Sequence, residues 1–447
     1  MNPMNRRGFL GVLGATAAAT TLTACAGAGA GAGAGGDTSG ESGGTASGGD
    51  TGTITFWSNH PGDSKSLETD IIAAFESENP GLKVNLVDGG KNYEEVAQKF
   101  NAALTGGELP DVVVVSDVTW FNFALNRQIT PLNDLFTEAG VDTADYVDAL
   151  LGDYVLEGDN FGVPFARSTP LFYYNKEVWR AAGLPDRGPE NWTEFAEWAP
   201  RLQDAIGDGK HAIAMYDGSN YMDWTGQNII WDFDGAFSRD WTPTFTDDGT
   251  IRGMEYIKKL DDDGFLVVSA DSIVEFGSGL AACALASTGS LATAETNAGF
   301  EFGTAFLPGA AEKNSCPTGG AGVAIPAGIS DERKLNAMKF IDFLTNTQST
   351  ATFAQGTGYM PVRKSAREAQ EIKAYLSETP QAVTAIDQLA HTRPQDNARV
   401  LVPNGGRRIG GAFDRVLGGA DIRETMQQVQ DETAQIIETQ IQPKLNG

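Results

Sequence analysis

The stretch that decides the fold is FGVPFARSTPLFYYNKEVWRAAGLP, residues 161–185. Its first five residues place aromatic and β-branched side chains around a glycine and a proline, which is typical of a sheet edge or a crossover between sheets. Pro170 favours extended dihedrals at Thr169, so the RSTP segment forms a turn that fixes hydroxyl and backbone groups. A buried strand over 171–174 and a helix capped by Asn175 are predicted next. A strand that ends in a turn and a helix presents polar groups at the edge of a lobe, where ligands bind.

Strands and helices alternate regularly before this stretch. Strands are predicted over 53–57, 82–87 and 112–115, with helices over 67–78 and 93–104 between them. This rhythm predicts a parallel sheet with crossover helices, and so an α/β fold. Ligands on such sheets bind beyond the carboxyl ends of the strands, so the side chains expected to face a site are Ser58, Asn59, His60, Ser116 and Asp117. For Asp117, a cap of the following helix is the alternative.

The chain has 447 residues, which is enough for two to three domains, but its first part does not belong to a folded domain. Residues 1–24 resemble an export signal of the twin-arginine type, because Arg6 and Arg7 precede a short apolar run. The run ends in Leu-Thr-Ala-Cys, a lipobox pattern that predicts a lipid on Cys25. Residues 25–52 are rich in Gly, Ala and Ser and are expected to form a flexible tether. We therefore expect a protein anchored to the outer face of the cytoplasmic membrane.

The charge balance excludes one class of partner. The chain carries 32 basic and 59 acidic residues, a net charge of -27. Binding along nucleic acid needs a basic face, so nucleic acid is excluded as a partner. The acidity fits solubility at a cell surface.

The cysteines leave two alternatives. Apart from Cys25, the chain has Cys283 and Cys316, an even pair in an oxidising compartment. They form either a disulfide or two separate buried thiols. With no CxxC spacing and no histidine nearby, they do not indicate a metal site.

Patterns of catalytic residues are missing from the sequence. The three histidines are scattered, and there is no HExxH, no GxSxG nucleophile elbow and no phosphate-binding GxxxxGK[ST] loop. We expect a binding protein that is not an enzyme, without metal or cofactor.

Several motifs together resemble the solute-binding proteins of ABC importers, and most of all the members that bind glycerol-3-phosphate. These motifs are FWSNHPG (56–62), NYEEVAQKFNAALTGGELPDVVVV (92–115), RSTPLFYYNKEVWRAAGLP (167–185), NWTEFAEWA (191–199), ALASTGSL (284–291), TGGAGVAIP (318–326), GTGYMPV (356–362) and GGRRIGG (405–411). The resemblance covers the chain from about residue 53 to its end. It implies the two-lobed fold of periplasmic binding proteins, with a hinge and a central ligand cleft. The implied lobes are residues 53–165 with 320–362, and residues 166–319 with 363–447.

The resemblance also implies a set of ligand residues. These are Tyr93, Asp117, Ser168, Trp224, Ser290, Gly320 next to Gly319, Tyr359 and Arg408. Arg408 offers a fork of donors to phosphate oxygens, and the serines, Tyr359 and the Gly320 amide add neutral donors. The chain departs from its relatives at Asp117, where they have Glu, and lacks the second tryptophan of a pair that includes Trp224. A missing aromatic wall enlarges the expected site towards a glycerophosphodiester.

The implied function is that of a monomeric importer receptor. It captures sn-glycerol-3-phosphate, or a diester such as glycerophosphocholine, by closing its lobes, and it delivers the ligand to the membrane permease. One alternative in the same class is a receptor for a sugar or an oligosaccharide, since aromatic faces suit sugars. From another class, a surface-tethered glycoside hydrolase requires two carboxylates that flank the cleft.

Overall fold

The computed structural model describes residues 52–61 and 64–445, which fall within one compact unit of the chain. The predicted export signal, Cys25 and the tether up to residue 51 lie outside the described residues. In the part that is described, no helix combines the length and the apolar character needed to cross a membrane.

Strands are numbered along the chain. They are β1 Thr53–Ser58, β2 Lys83–Asp88, β3 Val112–Ser116, β4 Val155–Leu156, β5 Asp159–Asn160, β6 Val163–Ser168, β7 Pro170–Asn175, β8 His211–Tyr216, β9 Ser238–Arg239, β10 Thr242–Pro243, β11 Leu266–Ser269, β12 Ala281–Ser287, β13 Phe302–Ala305, β14 Cys316–Pro317, β15 Gly319–Ala324 and β16 Thr392–Arg393.

Helices are numbered in the same way. They are α1 Lys65–Glu78, α2 Tyr93–Leu104, α3 Trp120–Leu125, α4 Asn133–Ala139, α5 Asp148–Gly152, α6 Lys176–Ala181, α7 Trp192–Ile206, α8 Met222–Asp232, α9 Asp248–Asp262, α10 Ser272–Gly277, α11 Leu291–Asn297, α12 Ala310–Lys313, α13 Asp331–Leu344, α14 Thr347–Thr357, α15 Lys364–Glu368, α16 Gln370–Glu378, α17 Pro380–Gln388, α18 Asn397–Val400, α19 Gly405–Leu417, α20 Ile422–Ile436 and α21 Gln442–Leu445. Short 3₁₀ turns lie at Thr143–Asp145, Thr288–Ser290 and Leu389–His391, and a π-helical turn at Ile437–Ile441.

The first sheet has the strand order β2-β1-β3-β15-β6. Its first three strands pair in parallel, as the strand and helix rhythm predicts. The returning strand β15 is antiparallel to both of its neighbours, so the sheet is mixed. At its centre β3 is buried on both faces because its first four residues are all valine.

The second sheet has the order β11-β8-β12-β7-β13 and begins where the first ends. Strand β6 is the edge of the first sheet and ends at Ser168, and β7 of the second sheet begins at Pro170. Thr169 alone separates the two strands, as expected for a crossover at the RSTP turn. Asn175 accepts hydrogen bonds from the backbone N–H groups of Glu177 and Val178 and so caps α6.

An ion pair whose arginine is fully buried supports this crossover. The Arg167 side chain is fully buried, donates to the Tyr154 hydroxyl (3.1 Å) and pairs with the Asp153 carboxylate. The Thr318 hydroxyl donates to the same carboxylate (2.9 Å) at the point where the chain returns to the first sheet. The Met360 amide donates to the Arg167 carbonyl (2.9 Å), which brings a third segment to the crossover. Three separate segments are thus tied to one arginine.

The C-terminal helices contact both sheets. Helices α19 and α20 pack on α8 and α9 beside the second sheet. Beyond them, Ile437 and Ile441 share a core cluster with Trp57 and Phe100 of the first sheet and its helices. The lobe limits expected from the sequence remain a prediction.

The disulfide alternative for Cys283 and Cys316 is wrong, because both are free thiols in the core. Cys283 lies in β12, where its Sγ donates to the Ala212 carbonyl (3.2 Å). Cys316 lies in β14 and points its Sγ at the Pro317 carbonyl (3.7 Å). Burial raises the pKa of each thiol, which makes both unreactive.

Candidate ligand cleft

A cavity of about 380 Å³, here called the main cavity, opens where strands of both sheets end. From the first sheet, Ser116 ends β3, Ser168 ends β6, and Gly320 lies at the start of the antiparallel β15. From the second sheet, Tyr216 ends β8 and Ser287 ends β12. The carboxyl ends of parallel strands are where open α/β sheets bind ligands.

The structure brings seven of the eight predicted ligand residues to this cavity. They are Tyr93, Asp117, Ser168, Trp224, Ser290, Gly320 and Tyr359. Ser116 also lines it, whereas Ser58, Asn59 and His60 do not. Instead, the Ser58 hydroxyl and the His60 ring contact the buried Glu68 carboxylate at 2.8 and 2.6 Å.

The expectation that Arg408 faces the cleft is wrong. Its guanidinium donates to the Pro403 carbonyl (2.8 Å) and lies 3.8 Å from the Glu432 carboxylate, away from the cavity. Its neighbour Arg407 lines the cavity in its place. Adjacent residues on a helix differ by about 100° in direction, so only one of them points into the cleft.

A buried cation lies in the cleft wall. Arg399 of α18 donates from Nε to Asp223 (2.7 Å) and from an Nη to Asp117 (2.8 Å). Gln395 donates to the same Asp117 oxygen (2.8 Å). Burial opposes ionisation of Arg399, but the two carboxylates outweigh it and raise the pKa of the guanidinium.

The same network decides the role of Asp117. The cap position of α3 is Thr119, whose hydroxyl accepts a hydrogen bond from the Ser116 amide (2.9 Å). Asp117 is bound by Arg399 and Gln395 and faces the cavity, so it does not cap the helix.

Aromatic rings form a second wall. Tyr221 packs edge to face against Tyr216 and Trp224, with ring centroids 5.3 and 6.4 Å apart. The Trp224 indole donates to the Thr318 carbonyl (3.0 Å), and Gly319 leaves room for its ring, since a Cβ there would lie 2.6 Å from it. The Tyr93 and Tyr359 hydroxyls lie 3.5 Å apart. Tyr221 thus gives the cavity an aromatic ring beside Trp224, which is the one tryptophan among the described residues of its lining, and the missing second tryptophan remains a prediction.

The first turn of α19 completes the cavity. Asn404, Gly405, Gly406 and Arg407 all line it, and Asn404 has a left-handed backbone (φ 56°) that turns the chain into the helix. A helix N-terminus carries a partial positive charge and backbone N–H groups without intrahelical partners. This end of the cavity can therefore receive an anion.

Acidic side chains outnumber basic ones around the cavity. Glu94, Asp117, Asp223 and Asp271 face Arg399 and Arg407, four carboxylates against two guanidinium groups. Burial raises the pKa of Glu94, and the neighbouring Asp223 and Asp117 add to the effect. In the described part of the chain, no group of three or more metal-binding side chains stands together.

Sequence reasoning missed Arg399, Asp223, Tyr216, Tyr221, Glu94 and Arg407. Asp223 and Tyr221 flank Trp224 in the chain, so the neighbourhood of that tryptophan was an available signal. Arg399 lies in a helix of four residues and belongs to no motif.

Comparison with known proteins agrees with this geometry. The family described as bacterial extracellular solute-binding protein matches residues 70–379. The sn-glycerol-3-phosphate-binding periplasmic protein UgpB of Escherichia coli (strain K12) is 28% identical over 358 residues, which cover 76% of this chain and 81% of that protein.

Solved structures give the same fold. UgpB from Mycobacterium tuberculosis, crystallised in complex with glycerophosphocholine, superposes with a TM-score of 0.84 at 49% identity over 87% of this chain and 99% of that one. The GacH receptor of Streptomyces glaucescens superposes with a TM-score of 0.75 at 20% identity over 87% of this chain and 98% of its own, which shows the fold alone. The chain thus shares its fold with these receptors, and it belongs to the bacterial extracellular solute-binding proteins.

Proposed function

We propose that this chain is the substrate-binding subunit of an ABC importer that captures sn-glycerol-3-phosphate or a glycerophosphodiester. The observation that carries the proposal is the main cavity, in which a buried arginine, a helix N-terminus and neutral donors surround one space. UgpB proteins, named for glycerol-3-phosphate binding or crystallised with glycerophosphocholine, support it.

The phosphate group fits between Arg399 and the hydroxyl donors. Ser168, Ser290 and Tyr359 supply neutral donors, and the Gly320 amide adds another. Gly320 has a left-handed backbone (φ 91°), and a Cβ there would lie 2.1 Å from the Ala166 carbonyl, so only glycine fits. Arg407 stands at the exposed rim, where it attracts the anion on entry.

The acidic surplus of the wall favours a ligand with a positive charge. Two more carboxylates than guanidinium groups disfavour the doubly charged glycerol-3-phosphate. A zwitterionic diester such as glycerophosphocholine places its cation near Glu94 and the rings of Tyr93 and Tyr221. We therefore rank the choline diester above the monoester.

A glycoside hydrolase is the less favoured reading. The best-placed acids, Asp117 and Asp223, are both hydrogen-bonded to Arg399. Both carboxylates are engaged by the guanidinium, so neither is placed to give a proton to a glycosidic oxygen. Relatives that bind solutes support a receptor that is not an enzyme.

The proposal extends to the cellular setting. The chain is exported by its twin-arginine signal, lipidated at Cys25, and held as a monomer on the outer face of the cytoplasmic membrane. Lobe closure over the ligand adds contacts that the open state lacks, and the closed form docks on the permease subunits. The lobes are those expected from the sequence, 53–165 with 320–362 and 166–319 with 363–447.

Calorimetric titration of residues 53–447 tests the proposal. Glycerophosphocholine, glycerol-3-phosphate and maltose are titrated in parallel into the purified protein. We expect binding of the choline diester, weaker binding of the monoester and no binding of maltose. Binding of maltose alone would overturn the phosphate assignment in favour of a sugar receptor.

A further inference from the structure

Two carboxylates share one buried guanidinium in the wall of the main cavity. The side chains of Asp223 and Asp117 are 5% and 12% exposed, and that of Arg399 is 4% exposed. Arg399 donates from Nε to Asp223 (2.7 Å), and from Nη1 to Asp117 (2.8 Å) and to the Gln395 amide oxygen (2.5 Å). Two negative charges therefore face one positive charge in a place with little water.

The third nitrogen of this guanidinium is the part that can receive a phosphate. Within residues 52–61 and 64–445, Nη2 of Arg399 makes no hydrogen bond to the protein. The three nitrogens share one carbon, so a phosphate on Nη2 comes within the range of about 4–6 Å over which one charge shifts the pKa of another. Like charges at that separation oppose each other's ionisation, so the phosphate enters a wall that is already negative.

Asp223 is the carboxylate better suited to accept a proton. Burial raises its pKa and Asp117 adds to the effect, although the charge of Arg399 opposes it. In the described part of the chain, Asp223 accepts a hydrogen bond from one side chain, that of Arg399. Asp117 accepts from both Arg399 and Gln395. Protonation of Asp223 therefore disturbs fewer hydrogen bonds than protonation of Asp117.

The other groups that act on Asp223 come from its own helix and from two further helices. Glu94 of α2 carries a like charge, and burial raises its pKa while Asp223 adds to the rise. From α19, Gly406 packs on Asp223, since a Cβ there would lie 2.6 Å from Asp223 Oδ2, and Arg407 opposes the charge of Glu94. Tyr221 of the preceding turn stays neutral because burial raises its pKa. Helix α9 also packs on α8, but among the described residues it forms no ion pair with Asp223.

We propose that Asp223 takes up a proton when a phosphodiester binds in the main cavity, so that its presence makes ligand affinity fall as the pH rises. This inference rests on the proposed function and adds a pH-dependent control to the same site. The pKa of Asp223 is already above its ordinary value of 3.8, and a phosphate on Arg399 raises it further. Between these two pKa values, binding takes up a proton. Because linkage is reciprocal, the proton strengthens phosphate binding by the same factor as the phosphate strengthens proton binding.

Calorimetry of residues 53–447 and of the variant Asp223→Asn tests the proposal. The ligand is glycerophosphocholine, whose phosphodiester and quaternary ammonium groups do not titrate across the pH range used. Each titration is run in two phosphate-free buffers of different ionisation enthalpy, because the difference in heat between them counts the protons taken up. Asparagine keeps an acceptor for Arg399 Nε but carries no charge.

We expect the unaltered protein to take up more protons on binding than Asp223→Asn does. At neutral pH the variant should bind about tenfold more tightly, since the charge that opposes the phosphate is gone, and the two affinities should converge as the pH falls. The matched control is Asp208→Asn, which removes an exposed carboxylate outside the main cavity and should change neither the affinity nor the proton count.

The outcomes separate this inference from the proposed function. Equal proton uptake by the two proteins would overturn the role of Asp223 and leave the proposed function standing. Weaker binding by the variant, by the same factor at every pH, would also overturn it, because Asp223 would then only orient Arg399. A thermal scan checks that the variant is folded, and Asp223→Ser, which is also uncharged, takes its place if it is not. If glycerophosphocholine binds to the unaltered protein at no pH, the proposed function fails and the inference fails with it.

Discussion

Two arginines are buried to a similar degree in this protein, and they serve different ends. The side chain of Arg167 is 0% exposed and that of Arg399 is 4% exposed. Arg167 pairs with Asp153 behind the crossover between the sheets, whereas Arg399 pairs with Asp117 and Asp223 in the wall of the main cavity. Burial and ion pairing alone therefore do not identify a ligand residue.

The difference lies in what else each guanidinium faces. Around Arg167 the space is filled by Tyr154 and by strands that cross between the sheets. Arg399 lines the main cavity and pairs with two carboxylates from distant parts of the chain. The first arginine ties segments of the fold together, whereas the second lines the cavity in which we propose that the phosphate binds.

Removing Arg167 is expected to have the largest effect. Arg167→Ala removes a fully buried guanidinium and leaves the partly buried Asp153 carboxylate without its cation, which costs about 3–5 kcal/mol of unfolding free energy. Denaturant unfolding measures the loss, with Arg180→Ala as the control, because that arginine is 63% exposed and pairs with Glu301 at the surface. A loss below about 1 kcal/mol would show that the pair at the crossover does not hold the fold.

Asp396 contrasts with both arginines, because it is a buried carboxylate that has no ion pair among the described residues. Both of its oxygens accept from the Trp231 indole (3.1 and 3.2 Å), and one accepts from the Phe237 amide (2.7 Å). Burial raises its pKa from 3.8 to about 6. Between these values the folded state holds a proton that the unfolded state has lost.

The stability contributed at Asp396 should therefore fall as the pH rises from 3.8 to about 6. At about 1.4 kcal/mol per pH unit the fall reaches at most about 3 kcal/mol. Denaturant unfolding of the unaltered protein and of Asp396→Asn across this range isolates the effect. The difference in unfolding free energy between the two proteins should change with pH across this range and be constant above about pH 7. A difference that is constant throughout would contradict the raised pKa.

Replacing Arg399 tests whether the arginine in the cavity wall contributes to ligand binding. Arg399→Ala is expected to weaken glycerophosphocholine binding about a hundredfold, or about 2.7 kcal/mol, because a charge-assisted contact to the phosphate is lost. Calorimetry measures the affinity, and a thermal scan confirms that the variant is folded. Arg399→Lys keeps the charge without the planar fork, so its affinity for glycerophosphocholine should lie between those of the unaltered protein and of Arg399→Ala.

The matched control for Arg399 is Arg408→Ala. The Arg408 side chain faces Pro403 and Glu432, so its loss should change the affinity by less than about threefold. A large loss of affinity with Arg408→Ala and none with Arg399→Ala would show that Arg408 binds the phosphate, as expected from the sequence.

The sequence predicted the first sheet and several residues that line the main cavity for a physical reason. Apolar runs alternating with helical patterns specify parallel pairing, and parallel pairing brings strand ends together, so Ser116 and Asp117 could be assigned to the cleft. The turn at Ser168 and the glycines at 319–320 could be assigned because special backbone geometry limits the choice of residue.

The arginines could not be assigned in the same way. Whether Arg407 or Arg408 faces the cleft depends on the direction of a helix, which a shift of one residue in the helix start changes by about 100°. Arg399 is fixed by Asp223 and Asp117, which lie 176 and 282 residues away in the chain. No local pattern records contacts of that range.

Tyr221 is expected to give the smallest effect. Its ring lies in the main cavity beside Tyr216 and Trp224, where it can face the cation of a choline diester. A cation–π contact contributes about 1 kcal/mol, so Tyr221→Leu should weaken glycerophosphocholine binding about fivefold. Glycerol-3-phosphate has no cation, so its affinity should stay within about twofold. Tyr221→Phe keeps the ring and serves as the control in the same titration. If Tyr221→Leu weakens both ligands equally, Tyr221 only shapes the cavity, and the preference for a cationic head group must come from the carboxylates alone.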